Sequence, residues 1–107
     1  MLQPHAQGML GVWRRWDWDV NAPAEAHVVA PELPLIVEGA GALCPSTAGL
    51  ADVSVWLDSP EDSRRARALA RDGETYRPHW ERWARQEVVH VDRDDPRSLA
   101  THVFSLP

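Results

Sequence analysis

The sequence contains no lysine: all eleven basic side chains are arginine. That absence removes two classes of chemistry. A phosphate-binding loop of the form G-x-x-x-x-G-K-[ST] needs the ammonium that reaches the β- and γ-phosphates. Schiff-base and lysine-nucleophile catalysis need the amine itself. The bias toward arginine also follows from a GC-rich coding sequence, so it carries no function by itself. Cysteine is almost as scarce. Cys44 stands alone, which excludes an intrachain disulfide and leaves any zinc site to histidine and carboxylate, a pattern that suits a reducing cytoplasm. No apolar run approaches the ~20 residues that span a bilayer. The start, "MLQPHAQG", lacks the basic and then apolar layout of a signal peptide. A cytoplasmic protein without a membrane partner is expected. Basic blocks are missing too: at a formal net charge of -5, the chain has no footprint for nucleic acid or an anionic membrane.

What is present suits one small domain. At 107 residues with 44% hydrophobic side chains, folding buries about two-thirds of the unfolded chain's surface, enough for a modest core. Residues 1–8 read as a short helix broken by Pro4 and ended by Gly8, and residues 9–24 as a long aromatic loop. "HVVA" (27–30), "LPLIVE" (33–38), "VSVWLD" (53–58) and "THVFSL" (101–106) read as strands. Residues 44–52 read as a turn with one helical turn in it. The best-specified helix follows residue 58: Ser59 as N-cap, Pro60 at the first helical position, Asp62 three residues after the cap, and Gly73 as the stop. A second helix is expected from Pro78 to Val89, with Trp80, Trp83 and Glu87 along one face, and "DRDDP" as a polar turn after it. Strands separated by helices predict an α/β fold with crossover connections. The sheet reads as part of a larger one.

Three stretches carry chemistry. In "PLIVEGAGAL" an apolar strand runs through Glu38 into Gly39 and Gly41, as at a nucleotide site beyond a strand end, though such glycines serve any tight turn. On the helix after Ser59, about 100° per residue brings Arg64, Arg67 and Arg71 within ~60° of one another, opposite Ala66, Leu69 and Ala70. Guanidinium forks match phosphate oxygens bidentately and stabilise a transferring phosphoryl group; a solvated helix face is the plainer reading. In "RRWDWD" (14–19), Trp16 and Trp18 flank Asp17, an arrangement that can stack on a planar ring while the acid accepts hydrogen bonds, or that can staple a loop to a core.

In order, "RRWDWD…VVAPELPLIVEGAGAL…DVSVWLDSPEDSRRARALARDG" resembles the second half of the uridine kinase-like P-loop nucleoside phosphotransferases. These have an aromatic-Asp-aromatic element, a strand ending in Glu-Gly, a strand ending in Asp, and a helix of the form R-x-x-R-x-x-x-R-D. "YRPHWERWARQE" extends the likeness to the actinobacterial ATP-binding branch, over roughly residues 3 to 105. The resemblance implies that Trp16, Asp17 and Trp18 line an acceptor pocket, that Glu38 sits near a magnesium ion, and that Arg64, Arg67 and Arg71 are the catalytic lid arginines closing over ATP. A further base-contacting histidine of those enzymes has no equivalent here.

The family's phosphate-binding loop, its lysine, its magnesium-binding Ser or Thr and its general-base Asp all lie N-terminal to the matched region. The expectation is therefore a single incomplete domain over 1–107, a partial P-loop NTPase-like fold without its N-terminal strand, loop and helix. Mg2+ and ATP are implied as cofactors of the complete protein, with a nucleoside-like small-molecule acceptor, and neither is expected to bind well to this chain alone. Met1 is expected to be a misassigned or internal start, with the missing unit encoded upstream. The sheet edge left open makes self-association the expected partner interaction. Two other readings stand beside a truncated kinase: a non-catalytic nucleotide- or protein-binding remnant, and an unrelated α/β protein whose tryptophans are structural.

Overall fold

Residues 9–24 are no loop. The computed structural model describes residues 1–107, and in it β1 (Gly11–Asp17) pairs antiparallel with β2 (Ala22–Val29). Strand alternation puts Trp13, Arg15 and Asp17 on one side of the hairpin and Val12, Arg14 and Trp16 on the other. The pairs Arg14–Ala26 and Trp16–Pro23 are separated by two steps on β1 and three on β2, so β2 carries a bulge opposite Arg15. Pro23 fits there because a bulged strand of a two-stranded ribbon spares its missing N–H. Asp17 accepts the N–H of Asp19 at 3.0 Å and of Val20 at 3.3 Å, an Asx-type turn that closes the hairpin.

The chain divides into two units, Met1–Glu38 and Gly39–Pro107. The first holds the hairpin and α1 (Leu2–Ala6). Pro4 does not break that helix; it lies in the first turn, where its missing N–H costs nothing. Gly11 is buried because Met1 lies on it: a Cβ there would meet the Met1 carbonyl oxygen at 2.8 Å. "LPLIVE" is not a strand. Pro31 and Pro34 remove backbone donors, no partner strand offers a ladder, and Ile36 is 93% exposed.

The second unit is α/β. β3 (Val55–Asp58) pairs in parallel with β4 (His102–Ser105), and the chain between them runs through α3 (Glu61–Asp72), two short turns of tighter helix, α4 (Trp80–Asp94) and α5 (Pro96–Leu99), after the single-turn α2 (Pro45–Ala48). A knot at the strand entrance fixes the register. Thr101 Oγ1 donates to the Ser54 carbonyl at 2.8 Å and accepts the Ser54 N–H at 2.9 Å, while Ser54 Oγ donates to the Leu99 carbonyl at 3.2 Å.

Two helix boundaries differ from the expectation. Pro60, not Ser59, is the N-cap of α3, and no side chain caps it; the Ser59 hydroxyl is drawn away to the Pro107 carbonyl at 3.2 Å. Gly73 does end the helix, at φ 63°. Helix α4 runs through most of "DRDDP" and stops where Asp95 turns left-handed at φ 42°. Its inner side carries the packing of this unit: Trp80 is 8% exposed, and the Tyr76 ring touches both Trp80 and Trp83, with centroids 6.0 and 4.6 Å apart. Pro96 is fully buried.

Candidate functional site

The carboxyl end of β3 collects the most chemistry. Asp58 accepts the Ser59 N–H at 3.0 Å through one oxygen and an Arg97 N–H at 2.6 Å through the other. Arg64 donates from Nε to the Ser59 carbonyl at 3.0 Å and pairs with Glu87 of α4. Arg67 donates to the Ser59 hydroxyl at 2.6 Å and to the Pro107 carbonyl at 2.7 Å. Three guanidiniums thus gather around Asp58 and Ser59, where ligands sit in open α/β sheets.

Of the three arginines that share a face of α3, two reach this point. Arg71 lies two turns further along, is 76% exposed and pairs with Asp72 at 2.8 Å; that pairing lowers the Asp72 pKa. Arg97 was not anticipated. Its place depends on the crossover that lays β4 beside β3, a non-local event that no local motif encodes.

Trp16, Asp17 and Trp18 lie together at the end of the hairpin in the first unit. Trp16 and Trp18 meet edge to face with centroids 6.4 Å apart, and Trp18 is 81% exposed. Asp17 is engaged in its own turn and lies 3.6 Å from Arg15. Beside them, Trp13 stacks on His27 at 4.7 Å, and Arg15 binds Glu25 at 2.8 Å. The Arg15 hydrogen bond is the main reason the Glu25 pKa falls to about 2.

Glu38 is exposed and ends the first unit, with no ion pair of its own. The turn after it is made by glycine: Gly41 sits at φ 79°, and the Ala42 N–H bonds the Gly39 carbonyl at 3.2 Å. No group of three or more His, Cys, Asp or Glu side chains is arranged to hold a metal ion. At Glu38 a magnesium ion would have one carboxylate from this turn and would take its other ligands from phosphates and water, since such an ion is bound by one or two carboxylates plus substrate phosphates.

Two local clusters had no sequence signal. Cys44 Sγ lies 3.1 Å from Ser46 Oγ and 3.4 Å from Thr47 Oγ1; these hydroxyls, Ser46 first, lower the thiol pKa to about 7. In α4, His90 Nδ1 lies 3.0 Å from Asp94, which also takes two hydrogen bonds from Arg93 at 2.8 and 2.7 Å. Arg93 is the leading cause holding the Asp94 pKa at about 2. No helix is long and apolar enough to cross a membrane. No protein-family model matches the chain, and no curated protein is similar to it.

Proposed function

We propose that this chain is the acceptor- and lid-bearing half of an ATP-dependent phosphotransferase of the P-loop type, acting on a nucleoside or another small hydroxyl acceptor and inactive until the phosphate-binding half is supplied. The observation that supports this reading is the unit from β3 through α3 to β4: a strand ending in Asp58, a helix whose Arg64 and Arg67 converge just beyond that acid, and a parallel neighbour strand. Parallel strands are ordinarily covered on both faces and flanked by others. Here Val55, Leu57, Val103 and Phe104 are 47%, 58%, 39% and 54% exposed, which favours a sheet completed by further strands.

A second reading, a non-catalytic nucleotide- or protein-binding remnant of that fold, is favoured by one specific observation. All three expected lid arginines are engaged by the protein itself, with Glu87, with Ser59 and Pro107, and with Asp72.

Calorimetric titration with MgATP separates the two when run on the intact chain and on chain joined to a phosphate-binding half. The kinase reading expects no turnover by the chain alone. In the completed protein, Arg67→Gln with Arg71→Gln weakens ATP binding about tenfold or more, the size of one or two charge-assisted hydrogen bonds, while Arg65→Gln leaves it nearly unchanged. Equal effects of both changes, or ATP binding by the completed protein without transfer to any nucleoside or other small hydroxyl acceptor, would refute the kinase reading and leave the remnant.

A further inference from the structure

Between the last residues of β3 and the inner side of α4 lies a cleft of about 560 Å³ within the second unit. Its apolar lining includes Leu57, Trp80, Ala84, Val88 and Val91. Trp80 is buried, whereas Leu57 and Val88 are each 58% exposed and Val91 is 39% exposed. The cleft therefore offers an apolar surface that water covers and a ring or alkyl body could cover instead. Its volume falls in the range of small-molecule pockets.

The charges around it decide what that body should carry. Five carboxylates and three guanidiniums line the cleft. Asp58 with Arg97 and Glu87 with Arg64 cancel in pairs. Glu61, Asp92 and Asp95 remain against Arg85 alone, so the rim is left with two more negative than positive charges. Asp92 and Asp95 stand together at the end of α4, beside the apolar lining.

We propose that this cleft is a binding site for a small amphipathic organic cation: an apolar ring or chain seated against Leu57, Trp80 and Val88, with its ammonium among Asp92, Asp95 and Glu61. The cleft shares Asp58, Ser59 and Arg64 with the strand end on which the phosphotransferase reading rests, but the groups that would hold the ammonium, Asp92, Asp95 and Glu61, are none of the expected acceptor, lid or metal residues, so the two readings fail separately. An anionic ligand of the same shape meets the excess negative charge and is disfavoured. A neutral one gains only the apolar contact.

The test uses the full chain and three probes of nearly equal size: phenethylamine, phenethyl alcohol and phenylacetate, titrated separately while backbone amide and tryptophan indole NMR signals are followed. Phenethylamine is expected to bind tightest, by about tenfold over phenylacetate, the size expected for a unit charge among two uncompensated carboxylates at near-aqueous dielectric. The alcohol falls between them, and the spread narrows as salt is raised. Shifts should centre on the Trp80 indole, Ala84 and Val88. Asp92→Asn with Asp95→Asn, both exposed and the second suited to a left-handed residue, should bring the amine down to the affinity of the alcohol. Ala84→Leu, which fills the cleft, should weaken all three. Equal affinities for the three probes overturn the proposal, as do shifts confined to residues outside the cleft or no binding of any probe. Signal changes that follow protein concentration rather than probe concentration also overturn it, since a second copy would then occupy the cleft.

Discussion

Replacing Trp80 with alanine tests the packing of the second unit most directly. The side chain is 8% exposed, and a tryptophan buries up to about 250 Å², so its burial removes roughly 230 Å² from water. At about 25 cal/mol per Å² that is about 6 kcal/mol. Allowing for a compact unfolded chain lowers it to about 4 kcal/mol, inside the ~3–5 kcal/mol measured for core Trp→Ala changes. A unit of about 70 residues holds only about 3–10 kcal/mol of stability in total. Trp80→Ala is therefore expected to leave Gly39–Pro107 at the edge of unfolding. The assay is urea denaturation followed by the far-ultraviolet helical signal, which reports this unit because α3 and α4 both belong to it, and by tryptophan fluorescence, which also reports the first unit through Trp13, Trp16 and Trp18. Ile36→Ala is the control: at 93% exposure it should change stability by no more than about 0.5 kcal/mol. If Trp80→Ala cost less than about 1 kcal/mol while Ile36→Ala cost more than about 2 kcal/mol, the reasoning would fail. Residues 33–38 would then be the buried strand that their composition suggests.

The Cys44 thiol, lowered to about 7 mainly by Ser46 and then Thr47, should react with iodoacetamide at half its maximal rate near neutral pH; Ser46→Ala should move that midpoint toward the ordinary thiol value of ~8.5. Carboxylate-resolved NMR should find Asp94 titrating near the value of about 2 to which Arg93 holds it. Because its folded pKa lies below the unfolded value of ~3.9, its stabilising contribution is complete above about pH 4 and is lost as pH falls through about 2, and Asp94→Asn should abolish that acid-side loss.

The second unit was legible in the sequence where local chemistry and long-range packing agree. β-branched residues around Trp56 form β3, "THVFSL" forms β4, and Gly73 closes α3. The failures have separate physical causes. "LPLIVE" has strand composition without strand chemistry, since a ladder needs donors and a partner, and Pro31 just before the run and Pro34 within it withdraw donors. Of the hairpin only "HVVA", which covers the end of β2, was legible; β1 and the start of β2 have a partner but no simple apolar alternation, because one side carries Trp13, Arg15 and Asp17 and the bulge in β2 breaks the period. Ser59 has the composition of an N-cap, yet its hydroxyl bonds Arg67 and Pro107, groups 8 and 48 residues away. Helical periodicity correctly put Arg64 and Arg67 on one side of α3. What it could not give was Arg97 or Glu87, which arrive only through tertiary folding.

The engaged state of the arginines ranks them as phosphate ligands rather than excluding them. Arg67 holds a hydroxyl and a backbone carbonyl on an exposed surface, and exchanging these neutral acceptors for a phosphate adds charge–charge attraction and a bidentate fit to bonds its guanidinium already makes. Arg71 and Asp72 form a surface pair, a class worth about 0–1 kcal/mol in water, so a multiply charged anion competes with it readily. Arg64 differs from both. Its side chain is 33% exposed and its guanidinium is tied at once to Glu87 and to the Ser59 carbonyl, so its release would leave Glu87 without a counter-charge at a half-buried site. Arg64 thus belongs to the framework that docks α3 on α4, whereas Arg67 and Arg71 both hold contacts that a phosphate could replace, and of these two Arg67 is the one bonded to Ser59 at the end of β3.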